Sequence, residues 1–126
     1  MRVIVIGGLG NYGARICQRL SKVSGLTVIA ACRRPGAGTH TFASGQTVST
    51  LAIDINSPDF ETRLIQAAPR LVIHCAGPFQ GQDYRVALAS CAAGAHYLDL
   101  ADGRDFVANF AAPSKGGGSP CRFWSQ

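Results

Sequence analysis

Val3-Ile4-Val5-Ile6 runs directly into Gly7-Gly8-Leu9-Gly10-Asn11-Tyr12-Gly13. No other stretch restricts the fold as much. An unbroken β-branched run, ended by glycine, predicts a strand buried on both faces, and such strands belong to parallel sheets covered by helices. The glycines predict a tight turn. From Asn11 to about Val23 the pattern is helical: Ile16, Leu20 and Val23 share one face, and Arg15, Arg19 and Lys22 share the opposite one. Gly25 ends that helix. Strand, glycine turn and helix in this order place the free N–H groups of a helix N-terminus at the carboxyl end of a strand.

The same alternation continues. Thr27 to Cys32 and Val48 to Ile53 are expected strands, with residues 35–46 a loop between them. Ser57-Pro58 opens a helix carrying Phe60, Leu64, Ile65 and Ala68, which Pro69 stops. Leu71 to Cys75 is a fourth strand, Tyr84 to Ala93 a helix closed by Gly94, and His96 to Leu100 a fifth strand. Asp105 to Ala111 begins a further helix. This order predicts an α/β, Rossmann-type doubly wound parallel sheet with strand order 3-2-1-4-5, in a single three-layer domain over residues 1–112. The segment PSKGGGSPCRFWSQ, residues 113–126, has no period and is expected to be a disordered tail.

Composition narrows the functional classes. The chain has 126 residues, the size of one domain, and 47% are hydrophobic, enough for a core. No apolar run reaches bilayer length, and the glycines break the first run before a signal peptide could form. A cytoplasmic protein with no membrane partner is therefore expected. Five cysteines, an odd number without a C-x-x-C pair, argue against a disulfide framework or a zinc site. His40, His74 and His96 have no metal-ligand spacing, and no metal is expected. The net charge of +5 is uneven: residues 1–53 hold six basic residues and no carboxylate. That asymmetry points to a phosphate-bearing partner. Aromatic and basic residues do not interleave as on a stacking platform, so the expected partner is a nucleotide rather than nucleic acid.

Gly8, Gly10 and Gly13 fit G-x-G-x-x-G, and Gly7, Gly10 and Gly13 fit G-x-x-G-x-x-G. In either frame one glycine makes the tight turn, Gly10 lets the backbone approach a pyrophosphate, and Gly13 lets helix and strand pack closely. An NAD site carries a carboxylate at the end of its second strand, to bind the ribose 2′-hydroxyl. Here Arg33 and Arg34 stand there instead. Planar guanidinium donors suit a 2′-phosphate, so the expected cofactor is NADP(H).

Two more stretches, AIDINSPDF at 52–60 and HCAGPFQGQDYRVALASCAAGAHYLDLAD at 74–102, complete a pattern. With the glycine turn, it resembles the NADP-binding domain of the saccharopine dehydrogenase family over about residues 2–110. The resemblance implies that Gly8, Gly10, Asn11, Tyr12 and Gly13 line the pyrophosphate and that Arg33 and Arg34 hold the 2′-phosphate. It also implies that Asp54 and Ile55 flank the adenine, and that Ala76, Gly77, Pro78 and Phe79 lie along the nicotinamide ribose. Tyr97 and Asp99 would sit near the nicotinamide end. Family activity is hydride transfer on imine or keto-acid type substrates, chosen by a second domain. The composition change at Pro113 suggests a truncated or frameshifted product, or an isolated domain, lacking that domain. A downstream reading frame encoding no α/β substrate domain would defeat the suggestion.

Asp99 is the one catalytic candidate, to orient substrate or relay a proton; capping or a solvated loop is the alternative. Tyr12, Tyr84 and Tyr97 have no lysine four residues on, which excludes short-chain-reductase chemistry. The alternative function is therefore a non-catalytic NADP-binding sensor or regulatory module related to extended short-chain reductases. The unfinished sheet edge invites pairing with another chain, as in a homodimer.

Overall fold

The computed structural model describes residues 1–75, 85–99 and 123–125. Strands β1 (Arg2–Ile6), β2 (Thr27–Cys32), β4 (Thr47–Ala52), β5 (Leu71–His74) and β6 (His96–Asp99) are joined by parallel pairings in the order β4-β2-β1-β5-β6. This is the order expected from the right-handed crossover rule. Val3–Ile6 are buried, which makes β1 the centre of the sheet.

Period-two alternation along β1 divides the core into two layers. Val3 and Val5 face a layer with Cys17, Val28, Ala30 and Ile73, covered by α1 (Asn11–Leu20). Ile4 and Ile6 face the other, with Phe60, Leu64, Val72, Val86 and Tyr97, covered by α2 (Phe60–Ala67) and α3 (Arg85–Ala92). Each large side chain so buried contributes roughly 1.5–3 kcal/mol.

Several expectations shift at element ends. Helix α1 stops at Leu20, so Val23 lies beyond it, half exposed. Helix α2 starts at Phe60 rather than at Pro58; Asp59 occupies the cap, and the Ser57 hydroxyl donates to its carboxylate. The α2 stop is as read: Ala68, before Pro69, turns left-handed at φ 53°. Ile65 and Leu88, apolar residues of α2 and α3, are exposed.

Two strands were not foreseen. Residues 35–46 are not all loop: β3 (Thr39–Thr41) pairs antiparallel with β4 and forms one edge of the sheet. Gly45, at φ 91°, turns the hairpin, and the N–H of Phe42 donates to Gln46 O at 2.8 Å. Phe42 folds onto the α1 side of the sheet and joins that core layer. Within the expected disordered tail, Phe123–Ser125 forms β7, parallel to β6 at the opposite edge. The five-strand sheet is thus extended at both sides, by strands too short to show a period of their own. The expected helix from Asp105 lies outside the described residues.

Candidate dinucleotide site

At the carboxyl end of β1 the chain turns through Gly7, whose φ of 78° only glycine adopts without strain. Its N–H donates to Ala31 O at 2.8 Å, continuing the β1–β2 ladder into the turn. Gly7 thus supplies the tight turn, which favours the G-x-x-G-x-x-G frame for that role. Gly8 has a separate task. A Cβ there would stand 2.8 Å from Ala30 Cα and from Val5 O. The turn therefore lies flat on β2. A Cβ on Gly13 would stand 2.0 Å from Gly7 O, so the first turn of α1 rests on the backbone of the loop.

Gly10 caps α1 in extended conformation with no side-chain hydrogen bond, and no acidic residue occupies the first helical turn. Ala14 N–H donates to Gly10 O at 2.9 Å, which leaves the N–H groups of Asn11, Tyr12 and Gly13 at the open helix end. A Cβ on Gly10 would meet only Gly7 O, at 3.3 Å, so this position is open toward the ligand side. Partial positive charge at an open helix end, with no carboxylate in its first turn, is the environment that a pyrophosphate requires. The Tyr12 side chain points elsewhere. It is 67% exposed and shares a groove of about 480 Å³ with Arg15, Arg19, Lys22, Ser44 and Gln46. Its part in the turn is its backbone.

At the carboxyl ends of the next two strands, Cys32, Arg33, Arg34 and Asp54 line one cavity of about 630 Å³. Both arginines are exposed. Among the described residues, no hydrogen bond holds either guanidinium. Asp54 is held by its own loop: Oδ1 accepts Asn56 N–H at 2.9 Å, and its carbonyl accepts Ser57 N–H at 3.0 Å. Ile55 does not line this cavity. It packs against the α2/α3 core layer, and its carbonyl accepts Arg85 Nη1 at 3.0 Å.

On the other side of β1, Ala76, Gly77, Pro78 and Phe79 lie outside the described residues. Asp99 ends β6, in register with His74 at the end of β5. Tyr97 departs from its expected place. It is fully buried on the α2/α3 side, and its hydroxyl is 3.0 Å from His74 Nδ1. A tyrosine alternates with its neighbours along a strand, and position 97 falls on the core face. His74 is 2% exposed. Sequence reasoning had the histidine and missed its partner; two polar rings on adjacent expected strands were the available signal.

Burial, with Cys75 nearby, pushes the Cys17 thiol pKa up to about 12, and burial pushes that of Cys75 up to about 11. Among the described residues no group of three or more His, Cys, Asp or Glu side chains could hold a metal ion, and no helix is long and apolar enough to cross a membrane.

The model of the saccharopine dehydrogenase NADP-binding domain matches residues 3–115. The chain belongs to this family. Its fold is also that of nucleotide-sugar epimerases. Helicobacter pylori ADP-L-glycero-D-manno-heptose-6-epimerase superposes with a TM-score of 0.61 at 14% identity, over 79% of this chain and 38% of that one. A putative NAD-dependent epimerase/dehydratase from Methylobacillus flagellatus gives 0.60 at 16% identity, over 97% and 52%. The Bordetella bronchiseptica enzyme WbmG, in complex with NAD, gives 0.56 at 18%, over 79% and 37%. The chain thus spans between about a third and a half of the length of these solved structures. No curated protein matches it in sequence. The saccharopine dehydrogenase-type domain is therefore a dinucleotide-binding, Rossmann-type unit, and its glycine cradle and open helix end fit that cofactor class.

Proposed function

We propose that this domain binds NADP(H) and serves an oxidoreductase that transfers hydride to or from imine or keto-acid type substrates. The observation that carries the reading is the cavity of Cys32, Arg33, Arg34 and Asp54 beside the glycine turn. A strand-two carboxylate would repel a 2′-phosphate; two unengaged guanidinium groups attract one and can bind it bidentately. Asn11, Tyr12 and Gly13 offer backbone N–H groups to the pyrophosphate, and Gly10 keeps the approach open. Asp54 lines the same cavity as the arginines, where an adenosine would contact it. Asp99, at the end of β6, is the residue of this chain for orienting a substrate or holding a proton. The nicotinamide, when bound, supplies or takes up the hydride.

Titration of the purified chain with NADPH and with NADH tests this. NADPH is expected to bind more tightly, and the preference to vanish in the Arg33→Ala, Arg34→Ala double variant. Equal or tighter binding of NADH defeats the selectivity. Binding of neither nucleotide defeats the reading as a whole.

A further inference from the structure

The outer face of α1 carries a groove that the dinucleotide site does not use. It has a volume of about 480 Å³ and lies between the helix and the tip of the β3–β4 hairpin. Arg15, Arg19 and Lys22 line it on the helix side, Ser44 and Gln46 on the hairpin side, and Tyr12 stands in the first helical turn. The two walls are tied together. The Ser44 hydroxyl donates to Gln18 Oε1 at 2.9 Å, and Gln18 Nε2 donates to Ala14 O at 3.2 Å. The groove is therefore held open by the fold itself.

Its charge is uncompensated. Arg15, Arg19 and Lys22 are exposed, and among the described residues no hydrogen bond or ion pair engages their side chains. A solvated helix face gains stability when cations alternate with carboxylates three or four residues away. No carboxylate occurs anywhere in residues 1–53, and like charges at this spacing repel. The helix dipole accounts for a cation in the last turn, Arg19. It accounts neither for Arg15, one turn earlier, nor for Tyr12, a tyrosine 67% exposed on the same face.

The groove is also separate from the arginine corner. Helix α1 leads from the carboxyl end of β1 back to the amino end of β2, and Ser44 and Gln46 precede β4, so the groove runs away from the ligand end of the sheet. Of the other cations in residues 1–53, Arg2 donates to Ala67 O, and Arg33 and Arg34 belong to the corner. The cationic stripe is thus short. Arg15 and Arg19 are about 6 Å apart along the helix axis. That is less than the track of phosphates a nucleic-acid face engages, and one tyrosine is not a row of stacking rings. It matches a protein helix. Carboxylates four residues apart on such a helix repeat at the same rise, and two helices pack side by side at about 8–10 Å. Arginine binds carboxylates bidentately, and arginine and tyrosine are the residue types that dominate protein interfaces.

We infer that the groove between α1 and the hairpin is a docking surface for an acidic amphipathic helix of a partner protein. Arg15, Arg19 and Lys22 take its carboxylates, and Tyr12 takes an apolar side chain at one end. The inference stands independently of the dinucleotide reading.

The test titrates the full chain with two fluorescent helical peptides of identical composition. In one, glutamates recur every three or four residues on a single face; in the other they are spread around the helix. The one-faced peptide is expected to bind about fivefold or more tightly than its isomer. Binding is expected to fade as salt is raised toward about 1 M, where charges are screened within about 3 Å. The Arg15→Glu, Arg19→Glu double variant is expected to weaken it about tenfold or more, with an unchanged thermal unfolding midpoint. Arg15→Gln with Arg19→Gln should give a smaller loss in the same direction. Equal binding of the two peptides overturns the inference, because charge alone then acts and no helix is seated. So does binding of neither peptide, or tighter binding of a single-stranded thymidine oligonucleotide, which would make the face a nucleic-acid one. Should the reversal variant unfold, the comparison of peptides on the parent chain still decides.

Discussion

The glycine turn at the end of β1 and the arginine corner at the end of β2 are neighbours in the sheet and are built in opposite ways. In the turn, recognition is done by backbone. Gly8 and Gly13 are needed because the atoms around them are themselves backbone or core, Ala30 Cα, Val5 O and Gly7 O, and Gly7 is needed for its φ of 78°. In the corner, the proposed recognition is by exposed side chains that no hydrogen bond among the described residues holds. A change in the turn therefore acts through stability, and a change in the corner acts through ligand choice. The difference follows from what each part must hold. A pyrophosphate is read by N–H groups at fixed spacing, so the chain must be rigid there. A 2′-phosphate is read by charge, which flexible guanidinium groups deliver from the surface.

The strongest test of this contrast is Gly13→Ala. Its Cβ meets Gly7 O at 2.0 Å and Gly7 C at 2.7 Å, and neither can move without opening the turn. A loss of about 3 kcal/mol or more is expected in urea unfolding. Retention of parental stability would show that the turn is not rigid. Gly8→Ala is the next in size. Its contacts at 2.8 Å lie partly with the Ala30 side chain, and about 1–3 kcal/mol is expected by the same measurement. Gly10→Ala, with one contact at 3.3 Å, should cost under about 1 kcal/mol and instead weaken dinucleotide binding.

Cys17 sharpens the contrast from beneath the turn. Its thiol has an ordinary value of 9.0 and is pushed up to about 12 by burial, so the folded state holds the proton more tightly than the unfolded one. Stability from this group is intact below the unfolded pKa and is lost as pH rises toward about 12. The stability of the parent chain should therefore fall as pH rises from 9.0 toward about 12, and Cys17→Ala should show a flatter profile. An unchanged slope would remove Cys17 as its source. Smallest in stability are Arg33→Ala and Arg34→Ala. Each should lie within about 0.5 kcal/mol of the parent by thermal unfolding. Their effect should appear only as NADPH affinity, by roughly tenfold each, the worth of a charged hydrogen bond. A large stability change would mean that the corner is structural after all.

Much of this was legible in the residues. Val3–Ile6, with the glycines after it, was enough to name a central parallel strand, and the apolar runs at 27–32 and 71–75 gave its two neighbours. Arg33 and Arg34 were placed correctly at the end of β2, and Asp54 shares their cavity. The hairpin of β3 was hidden because Thr39-His40-Thr41-Phe42 is short and lies among glycines. Its signal, two threonine-rich runs around Ser44-Gly45, is readable only beside a partner strand. Ile55 and Tyr97 both lie near strand ends, yet both pack on the α2/α3 layer: the pleat of β6 turns Tyr97 inward, and Ile55, in the turn past the end of β4, rests against the core.

By itself, then, the sequence determined the parallel order, the glycine cradle and the charge that waits at the second strand. These rest on local sterics and on hydrophobic period, which each segment carries in its own residues. The tertiary structure alone decided which glycine makes the turn, that Phe42 joins the α1-side core, and that Tyr97 reaches His74 on the neighbouring strand. Those depend on distances between segments far apart in the chain, and no period within either segment encodes them.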